Sequence, residues 1–196
     1  MKNIFKLLSF ACVSLAFTAC VEDIDTPDRG PQPNPEKEIA GVYQGTWTVS
    51  YKEATTTTEY SAQGDVVVTP KEYAYAADVT AKVSFVENAG LNLDNTSAAN
   101  ISPLTNANSY QVYNSVTPNG FSKKLDNDGT ILDLNTQFMG QIFPRDAQGE
   151  LTKTDPATLE FVLDFTYTYQ KIIIVNRRPR KVDCEEKYHF VGYLNK

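Results

Sequence analysis

The 196-residue chain sets 18 basic residues against 24 acidic ones, a formal net charge of −6, with 41% hydrophobic residues. That acidic balance argues against a nucleic-acid backbone or an anionic leaflet as partner. Its length allows one sizeable domain with a real core.

The chain begins with Lys2 and Lys6, then runs uncharged from Leu7 to Phe17 and reaches small Ala19. These are the charged head, apolar middle and cleavage site of a secretory signal spanning residues 1–19. As a helix the apolar run would cover about 16 Å, roughly half of a hydrocarbon core of about 30 Å, so it cannot span a bilayer alone. Phe17-Thr18-Ala19-Cys20 resembles a bacterial lipobox, and the resemblance implies a diacylglycerol on Cys20. The alternative is an ordinary cut after Ala19 that leaves Cys20 a free thiol. Residues 20–37 bring Glu22, Asp23, Asp25 and Asp28, then three prolines between Pro31 and Pro35. Such a segment cannot bury enough apolar surface to offset its ordering entropy and reads as an extended tether. Glu22-Asp23 also resembles the export signal of surface-exposed Bacteroidetes lipoproteins. The expected location is therefore the outer membrane, on its periplasmic or cell-surface face. Loss of Lys2 and Lys6 with the signal takes the net charge from −6 to −8. Cys12 leaves too, and an acylated Cys20 leaves Cys184 without a disulfide partner.

Residues 38–196 show alternation of period two rather than a helical period, which predicts an all-β domain. Tyr43, Gly45, Trp47, Val49 and Tyr51 share one face, opposite Gln44, Thr46, Thr48 and Ser50. Between this strand and the next clear one, "TTTTEYSA" and "DVVVT" read as two further strands, the second ended by Pro70. Val79, Ala81, Val83 and Phe85 then line up opposite Thr80, Lys82 and Ser84. The polar, Asn-rich stretch Asn88–Ser109 reads as an excursion or lid. In "KLDNDGTILDLN", Lys124 and Asn135 stand where a calcium loop needs acids, so Asp128-Gly129 is read as a hairpin turn.

The clearest pattern is the last hairpin, where Leu159, Phe161, Leu163, Phe165, Tyr167 and Tyr169 alternate with polar residues. With Asn176–Lys181 as the loop, Val175 meets Val182, and the register sets Lys171 against Glu186, Tyr169 against Tyr188, Tyr167 against Phe190, and Phe165 against Gly192. Leu159 to Val175 would run about 56 Å unbroken, so a bend or bulge is expected near Gln170. Eight to ten strands suit a barrel or a sandwich, and long curling hairpins favour the barrel.

"IAGVYQGTWTVSY" and "YHFVGYLNK" resemble the lipocalin-like, or calycin-like, lipoproteins of Bacteroidetes over Ile39 to Leu194. Gly45-Thr46-Trp47 matches the Gly-x-Trp opening of lipocalins, while their second signature block and disulfide are not evident. The resemblance implies an antiparallel barrel of eight strands that takes a small apolar molecule at its mouth.

Trp47, Phe165, Tyr167, Tyr169, Tyr188 and Phe190 either line a cavity for a small apolar ligand or a glycan, or simply fill the barrel. His189, the only histidine, falls on the solvent side across from Thr168 and lacks the nucleophile and acid of a triad. Cys184 and His189 point to opposite faces, so Cys184, Glu185, Glu186 and His189 do not form a metal set. Arg177, Arg178, Arg180 and Lys181 either meet an anionic partner or form a solvated tip that protects strand edges. Two acids could still converge from distant strands for hydrolysis, but no such pair can be nominated. The expectation is a binding protein without catalytic residues, metal or cofactor, held to a membrane through Cys20; the alternative is a filled barrel that serves as a structural subunit or adhesin with a protein partner.

Overall fold

The computed structural model describes residues 34–105, 109–114, 120–124, 133–135, 137–145, 150–151 and 158–195, with the side chains of 122–124, 133–135 and 195 excepted. The signal, Cys20, the tether as far as residue 33 and the Asp128-Gly129 turn lie outside these residues.

Asn34–Lys196 forms one compact all-β unit. Its strands are β1 (Gly41–Glu53), β2 (Thr56–Pro70), β3 (Ala76–Val83), β4 (Leu93–Pro103), β5 (Tyr110–Tyr113), β6 (Ser122–Lys124), β7 (Asp133–Asn135), β8 (Phe138–Arg145), β9 (Thr158–Val175) and β10 (Arg178–Asn195). Eight of them close into an antiparallel barrel in the order β1-β10-β9-β8-β5-β4-β3-β2, and β6 pairs with β7 as a separate two-stranded sheet. Apart from that insertion each strand neighbours the next in sequence, and the first pairs with the last. This up-and-down topology is compatible with a calycin-like fold.

The alternation read along β1 governs the wall. Tyr43, Trp47 and Val49 are buried while Gln44, Thr48 and Lys52 are exposed. The rows meet at a crowded place where Gly64, Gly45 and Gly192 lie side by side on β2, β1 and β10. A Cβ on Gly45 would sit 2.1 Å from the Val191 carbonyl oxygen, so this close approach of two backbones requires glycine.

One end of the barrel is shut by a single helical turn, α1 (Pro35–Glu38). Proline suits the first turn because the amide it lacks would have no helical partner. Three hydrogen bonds dock this segment: Tyr110 donates to Glu38 Oε2 at 2.6 Å, Tyr43 to the Ile39 carbonyl at 2.8 Å, and the Tyr75 amide to Glu36 Oε2 at 3.0 Å.

At the other end four strands outrun the ring. Pairing of β3 with β2 stops at Val83↔Gly64 and that of β8 with β9 at Phe138↔Phe165, whereas β9 and β10 continue to Val175↔Arg178. A short 3₁₀ turn, Ala89–Leu91, buries Leu91 beneath this overhang.

The final hairpin corrects the expected register. Asn176 and Arg177 both take left-handed backbone, with φ of 52° and 61°, and form a two-residue turn whose twist matches that of the strands. The loop is therefore not Asn176–Lys181, and the register moves by an even number of residues. Tyr167 faces Glu186 rather than Phe190, Tyr169 faces Cys184, Phe165 faces Tyr188, Phe161 faces Gly192 and Lys171 faces Val182. An even shift leaves every inward residue inward. His189 stays on the exposed side but opposes Asp164, not Thr168. No bulge interrupts the ladder near Gln170, which runs unbroken from Thr158↔Asn195 to Val175↔Arg178.

Two other segments differ from expectation. The polar stretch Asn88–Ser109 contributes a barrel strand, β4, with Leu93, Ser97, Ala99 and Ile101 buried. The two strands expected between residues 55 and 69 are one, β2, which passes through Gly64 without a break in its pairing to β1.

Candidate functional site

The inward rows of β1, β9 and β10 bring the six aromatic candidates together. Trp47, Phe165, Tyr167, Tyr188 and Phe190 are buried, and Tyr169 is partly buried against them. Their rings touch: Trp47 and Phe190 have centroids 4.9 Å apart, and Trp47 also meets Phe165 and Tyr188 edge-on at 6.0 and 6.3 Å. Phe121, from the segment between β5 and β8, stacks on Phe138 at 4.7 Å and leans on Phe165 at 4.9 Å. Such edge-to-face and stacked pairs contribute about 0.5–1.5 kcal/mol each beyond burial. Five of the six candidates are thus buried and packed ring on ring in the interior, while Tyr169 is only partly buried.

Above these rings the same inward rows turn polar. Glu186, 1% exposed, stands between Tyr51 of β1 and Tyr167 of β9. Tyr169 donates to its Oε1 at 2.7 Å and Tyr188 to its Oε2 at 2.8 Å. The Tyr188 hydroxyl also lies 2.9 Å from the Leu91 carbonyl, so one proton is shared between two acceptors. This chain ties the 3₁₀ turn to the barrel wall. A buried carboxylate is tolerated where hydrogen bonds replace its hydration.

One residue pair higher, Tyr51 donates to Glu53 Oε2 at 2.6 Å and Lys171 Nζ reaches the same oxygen at 3.0 Å. Those hydrogen bonds, that from Tyr51 first and that from Lys171 second, hold the Glu53 carboxyl below its ordinary value. Burial, then the bond to Glu53, pushes the Tyr51 phenol well up. Burial followed by Glu186 does the same to Tyr169 and Tyr188. All three phenols therefore stay protonated and serve as donors at neutral pH. Cys184 is buried beside them, and burial raises its thiol, which suits packing rather than nucleophilic attack.

Between the overhang and the 3₁₀ turn these groups line an open pocket of about 200 Å³. Tyr51, Glu53, Tyr169, Lys171 and Glu186 form its sheet side, and Asn88, Gly90 and Leu91 form the loop side. Two aromatic rings, two carboxylates, an ammonium and amide groups thus converge on a space the size of one small polar molecule.

Glu186 was not among the residues nominated from the sequence. The signal was available: Cys184, Glu186, Tyr188 and Phe190 share one parity, so an acid stands in an otherwise inward row. The remaining candidates stay apart. His189 Nδ1 lies 2.7 Å from Asp164 Oδ1 on the outer wall, with both side chains well exposed. Among the described residues no three His, Cys, Asp or Glu side chains gather as a metal set. No protein-family model, no curated protein and no solved structure matches this chain.

Proposed function

We propose that this chain is a lipid-anchored binding protein that takes a sugar residue of a glycan at the mouth of its barrel and does no chemistry on it. The observation that carries this reading is the division of the interior: rings packed on rings below, and a small pocket above whose lining pairs Tyr51 and Tyr169 with hydrogen-bonding groups. Aromatic faces cover the apolar face of a sugar, while carboxylates and amides take its hydroxyls. Of the two ligand classes expected from the sequence, a small apolar molecule has less support, because aromatic side chains pack on one another through the lower interior.

The anchor rests on the sequence. The short apolar run ending in Ala19-Cys20, followed by an acidic and proline-rich stretch, supports acylation at Cys20 and an outer-membrane location. Multiple acyl chains hold such a protein firmly, at about 0.8 kcal/mol per buried methylene.

Calorimetric titration of the detergent-purified full chain with a panel of sugars and short oligosaccharides tests the reading. Binding that is lost in both Tyr51→Ala and Tyr169→Ala supports it, and no heat with any sugar refutes it. Mass spectrometry of the membrane-extracted protein tests the anchor, since an unmodified thiol at Cys20 rules it out. The packed interior also favours a second reading, a structural subunit or adhesin without a small ligand. Exposed Val42, Met139 and Tyr193 on the outer wall are where a protein partner would sit, and cross-linking in cells that traps one there, with no sugar binding, would select that reading.

A further inference from the structure

The two-residue turn at Asn176–Arg177 gives the basic cluster a direction that a six-residue loop would not have. Arg178, Arg180 and Val182 become strand residues paired with Val175, Ile173 and Lys171. Side chains on a strand alternate between faces. Arg178 and Arg180 therefore lie on the face of Cys184 and Glu186, whereas Lys181 lies on the other and Arg177 sits in the turn. Lys171 confirms which face this is, because its Nζ reaches Tyr51 and Glu53 at the pocket. At about 3.4 Å per residue, Arg180 stands about 7 Å and Arg178 about 14 Å beyond the Lys171–Val182 pair at the rim.

From that rim to the turn, the residues of this face are Lys171, Ile173 and Val175 on β9 and Val182, Arg180 and Arg178 on β10. All its charges are positive. Lys171 is already paired with Glu53, and among the described residues neither arginine has a carboxylate partner. Both are exposed. The chain as a whole is acidic, at −6, so this basic strip stands out against the net charge. Guanidinium groups bind carboxylate and sulfate through paired hydrogen bonds.

Resting on the sugar-binding reading above, we propose that the ligand is an acidic oligosaccharide: one sugar residue enters the pocket between Tyr51 and Tyr169, and the anionic groups of the residues that follow are held by Arg180 and Arg178. Recognition is then split between a neutral pocket contact and an electrostatic ramp along one face of the β9–β10 hairpin. The ramp gives selectivity for charged chains, and its contribution falls as salt rises.

The test is calorimetry on the full chain with tetragalacturonate, its fully methyl-esterified and hence uncharged counterpart, and a sulfated tetrasaccharide. The wild-type chain is expected to bind at least one of the acidic ligands about tenfold or more tightly than the ester, with the preference shrinking at high salt; which acid wins separates carboxylate from sulfate as the natural group. Arg178→Gln/Arg180→Gln is expected to bring acidic ligands down to the affinity of the ester and to leave the ester unaffected. Arg177→Gln/Lys181→Gln removes the same charge from the turn and the opposite face and is expected to change nothing. Equal affinity for acidic and esterified ligands, or equal losses in the two double variants, overturns the proposal. If the ester binds at a site destroyed by Tyr169→Ala while the acidic preference is absent, the ramp fails and the pocket reading stands; if no sugar binds, both fall. Matching circular-dichroism melting curves exclude unfolding as the source of any loss.

Discussion

Phe165 and Tyr188 face each other across the β9–β10 ladder with their rings stacked, centroids 4.9 Å apart and planes 12° from parallel. The pair joins the two regions of the barrel interior. Phe165 also touches Trp47, Phe121 and Tyr167, so its removal opens a void that rigid neighbours cannot close. Phe165→Ala should destabilise the fold by about 3–5 kcal/mol, read as a lower urea midpoint. A loss under about 1 kcal/mol would mean that the rings border open space rather than packing on one another.

Tyr188 extends from that stack to the polar layer through its hydroxyl. Tyr188→Phe keeps the ring and deletes the donor shared by Glu186 and the Leu91 carbonyl. Removing a donor from buried acceptors costs about 1–3 kcal/mol. The same change combined with Glu186→Gln should be non-additive, with a coupling of about 0.5–3 kcal/mol from a double-mutant cycle. Additive losses would show that Tyr188 and Glu186 do not act as one network.

The alternation that places these residues was legible; their partners were not. Inward and outward faces of β1, β3, β9 and β10 follow directly from period two, because each strand alternates apolar and polar side chains. β4 escaped that reading because its inward row, Leu93, Asn95, Ser97, Ala99 and Ile101, is polar or small at its middle. The hairpin register failed for a different reason. Registers an even number of residues apart bury the same side chains, so burial cannot choose between them, and the choice falls to the turn. Asn-Arg is not the usual Asn-Gly signature of a two-residue loop. At the mouth, Tyr169 was found by its parity with the core rings, while Glu186, of the same parity, was set against Lys171 and weighed only as a metal ligand. Closure of the ring through β1 and β10 depends on contacts between the two ends of the domain, which no local pattern reports.

The turn itself can be tested. Arg177 holds φ at 61°, a conformation that costs an L-residue roughly 1–2 kcal/mol and glycine almost nothing. Arg177→Gly should therefore raise the urea midpoint by the equivalent of about 0.5–1 kcal/mol, the unfolded chain's extra freedom offsetting part of the gain. Arg177→Val should lower it. A loop of six residues would tolerate both changes with little effect, so the pair of variants decides between the two hairpins.

Glu53 makes the overhang sensitive to acid. Its carboxyl is held below the ordinary value of 4.5 by the hydrogen bonds from Tyr51 and Lys171. A carboxyl whose folded value lies below its unfolded one contributes stability that is complete above the unfolded value and disappears as pH falls through the folded one. Glu53→Gln should thus lower stability at pH 7, and the difference from wild type should close as the solution is taken below about pH 4. The Lys171 and Glu53 side chains are 34% and 33% exposed, so solvent screening limits the difference at pH 7 to about 0.2–1 kcal/mol. Added salt should shrink it further. Urea titrations of both proteins at pH 7 and pH 3 give the comparison. A gap of the same size at both values would assign the effect of the substitution to lost packing rather than to the charged group.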